Sequence, residues 1–489
     1  MTAYFQTFRR GWELPTTFSI NMQNQRQDRG GVVFCVIFVT LSLHMLRNAA
    51  TFYYGVLGAV FLGTWCYSAV RFQDTKRCWA KRWVVLYCLC AVAATLQTAA
   101  QLGLSVAAYA AARFCLTIPL CILAYYALRT EKVVRAVLLL FCVLTAAGSL
   151  SVAIQYMGGQ ISWFAEPGSR AGIQRFGSLL GSLPTLGGAV PLALMIMLLL
   201  KMRMHVQLIL TPILILGVCL SLSKAAILGC GVCLLAVVAS AGKFSRRLLQ
   251  IVMLGSAVAA AFYLLGDTEV GQASLRYATG IFDSSFVGAH ARGGDVTVEN
   301  SLVSRLTVLP RRSLEDLYAE RGMYGYFTGG GFQMLGVALV PAGTTTFITS
   351  HSQLIDLLLV SGFPLLLAGM GVLLSSLMAF RKSRRAADLP DDIVSTCRWC
   401  LVLLSVSSVF NGGVFFQPGS ACLLWTLVGI GWRTKQAPRF LRVKPETGLG
   451  IARAGRVLRS GDFHHGRMIA PSIRQEMRFH PDHSVDARS

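Results

Sequence analysis

The sequence predicts an all-α integral membrane protein. We expect about twelve transmembrane helices, at the ~20 apolar residues a bilayer crossing takes, with a large, partly helical outer loop between spans 9 and 10. Three observations predict this. The 489 residues are 54% hydrophobic and 14% charged, with a mean hydropathy of +0.57; a soluble globular chain carries about 25% charged residues. The apolar residues form long runs without alternation, so helices rather than barrel strands must satisfy the backbone groups that lipid leaves without partners. The basic residues crowd onto alternate connections.

The runs are 31–46, 50–70, 83–103, 105–128, 136–157, 177–200, 206–223, 225–241, 248–266, 353–380, 399–416 and 420–432. No small-residue cleavage site follows the first, which therefore reads as a span and not a cleaved signal peptide. One set of connections carries RFQDTKRCWAKR (71–82), RTEKVVR (129–135), KMRMH (201–205), GKFSRR (242–247) and RKSRR (381–385). The alternate set carries Arg47, then nothing near 104, then Lys224. The positive-inside rule places the basic set, and with it both termini, in the cytoplasm. Arg9, Arg10, Arg26 and Arg29 agree. The organisation is then a cytoplasmic N-terminal segment 1–30, a bundle of nine spans over 31–266, an outer loop 267–350, C-terminal spans over 351–432, and a basic cytoplasmic tail 433–489. The tail is short of large apolar residues and is expected to be disordered, near anionic lipid; its His464–His465 pair reads as exposed tail. The net charge of +23 thus reflects topology, not nucleic-acid binding.

Fourteen cysteines do not make a disulfide framework. Cys88, Cys90, Cys115, Cys219, Cys230 and Cys233 lie within apolar runs, where a thiol acts as a small hydrophobe. Cys397 and Cys400 form a lone CxxC at the mouth of a span, too few ligands for zinc. No metal site and no cofactor is expected.

Residues able to carry chemistry gather on the outer side. In "SHSQ", Ser350 suits an N-cap and Gln353 the reciprocal partner of a capping box, which puts His351 in the first helical turn. The positive end of the helix dipole disfavours imidazolium there, leaving a neutral ring that can accept a proton. The same helix end suits an anion. An interfacial histidine that only bonds a loop is the plainer alternative. Arg170 and Arg175 precede a span, Lys224 sits between two spans in "SLSKAA", and Arg311 and Arg312 lie in the long loop. Guanidinium forks and an ammonium suit phosphate oxygens; solvated or snorkelling charge is the alternative for each. Arg113 falls within a span and Asp356 about one and a half turns into the helix that His351 opens. Intramembrane charges are costly and usually have partners, so the two are candidates for an ion pair. "TGGGF" (328–332) lacks the lysine and the strand–helix context of a phosphate loop; its glycines suit close backbone approach.

Taken together, the chain resembles the O-antigen ligase and O-antigen polymerase family of bacterial envelopes. "SHSQLIDLLLVSGFPLLL" is similar to that family's His-Asn motif opening a late span, with Gly362 eleven residues after His351. "RRSLEDLYAERGMYGYFTGGGF" resembles its long-loop motif, an arginine (Arg311 or Arg312) followed by Gly-x-Gly at Gly329 and Gly331. "SLSKAAILG" resembles its Ser-Arg motif between central spans, and "RFGSLLGSLPT" more loosely its arginine-glycine-proline pattern. The resemblance covers residues 150 to 380. Ser352 stands where asparagine is common, Lys224 where arginine is usual, and Pro364 where glycine is common; the lysine lacks arginine's bidentate geometry.

The resemblance implies a metal-independent glycosyltransferase of the bacterial inner membrane, with its site facing the periplasm. The donor would be a polyprenyl-diphosphate-linked glycan. The acceptor would be lipid A–core for a ligase or a growing chain for a polymerase, including exopolysaccharide polymerases. His351 would be general base, with Arg175, Lys224, Arg311 and Arg312 at the diphosphate. Ligase is slightly favoured, because a single histidine motif dominates. A polysaccharide or lipid transporter is the reading from another class; Arg113 and Asp356 suit it, but neither internal repeats nor broken helices are evident.

Overall fold

The computed structural model describes residues 16–44, 46, 51–73, 79–164, 168–170, 173–200, 202–221, 223–239, 244–268, 271–272, 275, 306–341, 343–345, 347, 350–382 and 389–434. The chain divides into two compact units, Met1–Ala437 and Pro438–Ser489, and every described residue belongs to the first. Arg9, Arg10, Arg47, the tail, its histidine pair and the loop stretch 276–305 lie outside the described residues.

The described chain is almost wholly helical. Its helices are α1 (Thr16–Ser42), α2 (Thr51–Phe72), α3 (Trp79–Leu102), α4 (Leu104–Cys115), α5 (Leu120–Ala127), α6 (Glu131–Gly158), α7 (Leu183–Leu199), α8 (Met204–Ser221), α9 (Lys224–Ala239), α10 (Phe244–Leu265), α11 (Val308–Arg321), α12 (Gln353–Lys382), α13 (Asp391–Phe410) and α14 (Ser420–Thr434). Each predicted apolar run holds a helix. Seven helical stretches are long and apolar enough to cross a membrane: 51–72, 80–102, 104–127, 131–158, 204–221, 353–381 and 391–410. The runs at α1, α7, α9 and α10 give shorter apolar helices.

Four boundaries depart from expectation. Helix α1 begins at Thr16, inside the segment predicted to precede the first span. Helix α13 begins at Asp391, so Cys397 and Cys400 are buried inside it and not at its mouth. It ends at Phe410, because the Asn-Gly of "FNGG" turns the chain there. A two-stranded antiparallel hairpin, β1 (Gly168–Arg170) and β2 (Ile173–Arg175), stands where no strand was predicted; Gly168 pairs with Arg175.

The largest departure is in α12, predicted as one continuous span. Its backbone leaves the helix at Ser361 and Gly362, the latter at φ 70°. The cause is local. Pro364 has no N–H for the carbonyl of Val360, four residues back. The "TGGGF" segment supplies the missing donors: Gly331 N–H bonds Val360 O at 3.1 Å and Gly330 N–H bonds Leu359 O at 2.8 Å. A Cβ on Gly329 or Gly362 would collide with the facing backbone, so these glycines permit the close approach of the loop to the broken helix. Gln97 Nε2 donates to Thr328 O at 2.9 Å from α3. Phe332, fully buried, follows the glycines into a cluster with Phe114, Tyr87, Phe415, Phe416 and Trp425. The second half of the long connection is therefore partly helical, as expected, but it is also part of the core.

Helix α7 forms the centre of the bundle, with Leu192–Leu198 buried on all sides. It packs against α6, α8, α9 and α13. An interior helix of this kind is apolar around its whole circumference.

Candidate functional site

At one end of the bundle several basic residues bond carboxylates or backbone carbonyls. There Arg135 Nε bonds Glu131 Oε1 at 2.7 Å, and its Nη2 bonds Asp392 Oδ2 at 2.9 Å. Arg433 Nη1 donates to Leu128 O at 2.7 Å, and Lys81 Nζ to Phe72 O at 2.5 Å. The candidate site lies at the other end, where α6 and α8 finish and α7, α9 and α12 begin.

Arg175 comes from β2 and is buried; its Nη2 donates to Ser221 O at 2.5 Å. Ser221 is the last residue of α8, so the guanidinium sits where a helix C-terminus presents unpaired carbonyls. Ser223 then accepts the first bonds of α9 through its carbonyl, from Ala226 at 3.0 Å and Ile227 at 3.2 Å. Lys224 opens α9 and is only 1% exposed. A buried ammonium at a helix N-terminus adds its charge to the positive end of the dipole. The sequence placed Arg175 and Lys224 in separate stretches; the α8–α9 corner joins them.

Helix α7 connects this corner to the histidine. A Cβ on Gly187 would lie 2.7 Å from Ser223 Oγ, and one on Gly188 3.2 Å from Asn411 Nδ2. Next to Asn411, a Cβ on Gly412 would lie 2.5 Å from Asp356 Oδ2 and 3.8 Å from the Cα of His351. Arg175, Lys224, Asn411, Asp356 and His351 thus form one run of neighbours across a single end of the bundle. A Cβ at 187 or 412 would force a shift there, and one at 188 would press on the Asn411 amide.

His351 itself needs a correction. The N-cap of α12 is Ser352, whose carbonyl accepts from Asp356 N at 2.8 Å. Gln353 is then the first helical residue, and its Oε1 accepts from Phe415 N at 3.3 Å, not from the cap. The predicted capping box is absent, and His351 lies before the helix, not in its first turn. It is half-buried, with φ 57°, the one positive-φ residue other than glycine among the described residues. A left-handed conformation at a non-glycine residue is held against a local cost. The holding contacts come from its neighbours. Ser350 Oγ donates to Asp356 Oδ1 at 2.7 Å and Ser350 N to the same oxygen at 3.3 Å. Ser352 N donates to Ser350 Oγ at 3.1 Å. Asp356 therefore pins the loop on which His351 stands.

The predicted Arg113–Asp356 ion pair does not form. Arg113 lies over the Tyr109 ring at 5.5 Å on α4, while the bonds of Asp356 come from Ser350. Asp356 Oδ2 and Gln353 Nε2 are both fully buried without a hydrogen-bond partner among the described residues. One is an acceptor and the other a donor, three residues apart on one helix face.

Arg311 and Arg312 are not gathered into this set. Both are exposed on α11, where Arg311 Nε bonds Glu315 Oε1 at 2.8 Å in a surface pair. Arg170 pairs with Ile173 in the hairpin. Gly329 and Gly331 serve the broken helix. Sequence reasoning missed Asn411, Gly412 and Gly187, and gave Gln353 a capping role it does not have. The Asn-Gly turn signal at 411–412 was legible, but it lay inside an apolar run read as a span.

Among the described residues no three His, Cys, Asp or Glu side chains cluster as a metal site would. Compared with known proteins, the chain matches no family model, and no curated protein matches it.

Proposed function

We propose that this protein is a membrane glycosyltransferase of the O-antigen ligase type. It would transfer a glycan from a polyprenyl-diphosphate carrier to an acceptor sugar at the outer face of a bacterial inner membrane. The observation that carries the proposal is the run of neighbours joining Arg175 and Lys224 to His351. Cations and a general base at one end of a helical bundle are what diphosphate departure beside hydroxyl attack requires.

The chemistry is a single displacement. The acceptor hydroxyl oxygen attacks the anomeric carbon while the bond from that carbon to the diphosphate oxygen breaks. His351 takes the hydroxyl proton. The electron pair leaves with the diphosphate, whose growing negative charge meets the Lys224 ammonium, the N-terminus of α9 and the Arg175 guanidinium. Attack opposite the leaving group inverts the anomeric centre. The donor's lipid tail keeps its diphosphate at headgroup depth, the depth expected of helix ends. Exposure and the Glu315 pair weigh against a diphosphate role for Arg311.

A polymerase would use the same residues with a growing chain as acceptor. The broken helix α12 is the one observation that favours a transporter, where unwound carbonyls coordinate ions. Leu359 O and Val360 O already accept from Gly330 and Gly331, which leaves the break few oxygens for that purpose.

Gel profiling of envelope glycans from a deletion strain, complemented with wild type or His351→Ala, tests the reading. A ligase predicts long lipid-linked chains unattached to core in the deletion strain, with attachment restored by wild type alone. Core bearing a single repeat, or loss of secreted polysaccharide, identifies a polymerase. Unchanged glycans in the deletion strain would overturn both.

A further inference from the structure

At the opposite, basic end of the bundle a cavity of about 470 Å³ opens between α8 and α10, lined by Met202, Arg203, Met204, Gln207, Leu249, Gln250 and Met253. It has no place in the proposed transfer reaction. Its walls are of two kinds. Met202, Met204, Leu249 and Met253 give a flexible apolar lining that adapts to irregular hydrocarbon. Met204 and Leu249 are about half exposed, 51% and 47%, so the cavity opens at the bundle's outer surface, where lipid chains would lie.

The polar wall is fixed. Gln207 Nε2 donates to Met197 O at 2.6 Å, and Gln250 Nε2 donates to Leu198 O. These two amides are buried and take up backbone carbonyls at the end of α7. Each amide gives an N–H to the protein's own backbone, and Arg203, exposed at the rim, is the lining residue that offers an anion a positive charge. The local charge has one sign. Arg203 is the charged residue of the lining, and α10 begins at Phe244, just ahead of the lining residue Leu249. That start is a helix N-terminus, the positive end of its dipole.

An apolar slot open to the bilayer, with a guanidinium at its rim, matches one ligand chemistry: a phosphodiester headgroup joined to acyl chains. We propose that this cavity is a binding site for an anionic phospholipid of the leaflet at the basic end. The acyl chain fills the methionine-lined slot, and the phosphate is bound by Arg203. Charge complementarity selects the occupant. A zwitterionic lipid would carry its own ammonium toward the same guanidinium.

The test uses the purified full-length chain, with native mass spectrometry in micelles doped with phosphatidylglycerol or phosphatidylcholine. One retained phosphatidylglycerol per chain is expected, with at least several-fold preference over phosphatidylcholine. Arg203→Gln should reduce that preference several-fold. Met253→Trp, which fills the slot, should reduce retention of both lipids while the protein stays monodisperse. A photocrosslinking residue at Met253 should label lipid. Equal retention of the two lipids would overturn the proposal, as would selective retention indifferent to both substitutions. Crosslinking of Met253 to a peptide from 438–489 would assign the cavity to the chain's own tail and overturn it too.

Discussion

Arg135 and Lys224 sit at opposite ends of the same bundle, and their surroundings differ in kind. Arg135 is partly exposed and holds two carboxylates, Glu131 and the nearly buried Asp392, tying α6 to α13. Lys224 is buried at a helix N-terminus, where the backbone field is already positive, with Arg175 beside it at the α8–α9 corner. The first arrangement neutralises charge and joins helices. The second sets a buried ammonium at the positive end of a helix dipole, a place that suits an anionic ligand. The same contrast separates the two halves of the long connection's described chemistry. Gly330 and Gly331 repair a broken helix in the core, while Arg311 pairs with Glu315 at the surface.

Substitutions can break this comparison. The largest expected effect is at His351: His351→Ala should lower glycan transfer by about 10²–10⁴-fold, the usual worth of general acid–base catalysis, with thermal stability near wild type. Lys224→Met should follow, with transfer down about 10²-fold, as for loss of one charge-stabilising group. The variant should stay folded and monodisperse, so that the loss is read per folded molecule. Full activity in Lys224→Met, or a collapse of its fold, would erase the distinction between the two ends.

Arg135→Met should do the reverse. Removing the partner of Asp392 should cost about 1–3 kcal/mol of stability in denaturation, and transfer per folded molecule should stay within about twofold, given that the residue lies far from the chemistry. Gly362→Ala sharpens the second contrast. Its Cβ would meet the Phe327 carbonyl at a positive φ, so a loss of about 1–3 kcal/mol is expected, read as a lower melting temperature. Arg311→Ala should be the mildest, within about 0.5 kcal/mol in stability, as exposed pairs are. A large loss of transfer there would return the loop arginine to the diphosphate.

Much of this was legible in the sequence, for reasons particular to each element. Long apolar runs demand helix from both lipid and packing, so every run holds helix, although the run 105–128 divides into α4 and α5. Lys224 was conspicuous because a charge between two apolar runs has no loop to carry it into water. The break in α12 was not legible as such. Pro364 announced a lost hydrogen bond, but the donors that replace it come from Gly330 and Gly331, some thirty residues away in sequence and adjacent only once the connection folds into the core. The capping of His351's helix failed for a similar reason. "SHSQ" fits a capping box locally, yet Asp356 offers Ser350 a carboxyl oxygen, and the chain takes that bond and moves the cap to Ser352. The link from Lys224 to His351 runs through Gly187, Gly188 and Gly412, whose importance is the absence of a side chain, and a single sequence does not mark which glycines face a neighbour.

The most direct test of the central claim is a transfer assay with purified protein in detergent, supplied with a labelled polyprenyl-diphosphate glycan and a saccharide acceptor. Wild type should form the glycosidic bond and release the diphosphate carrier without any gradient, and His351→Ala and Lys224→Met should both fail while remaining folded. Equal turnover by wild type and both variants would contradict the claim that this end of the bundle is the catalytic one.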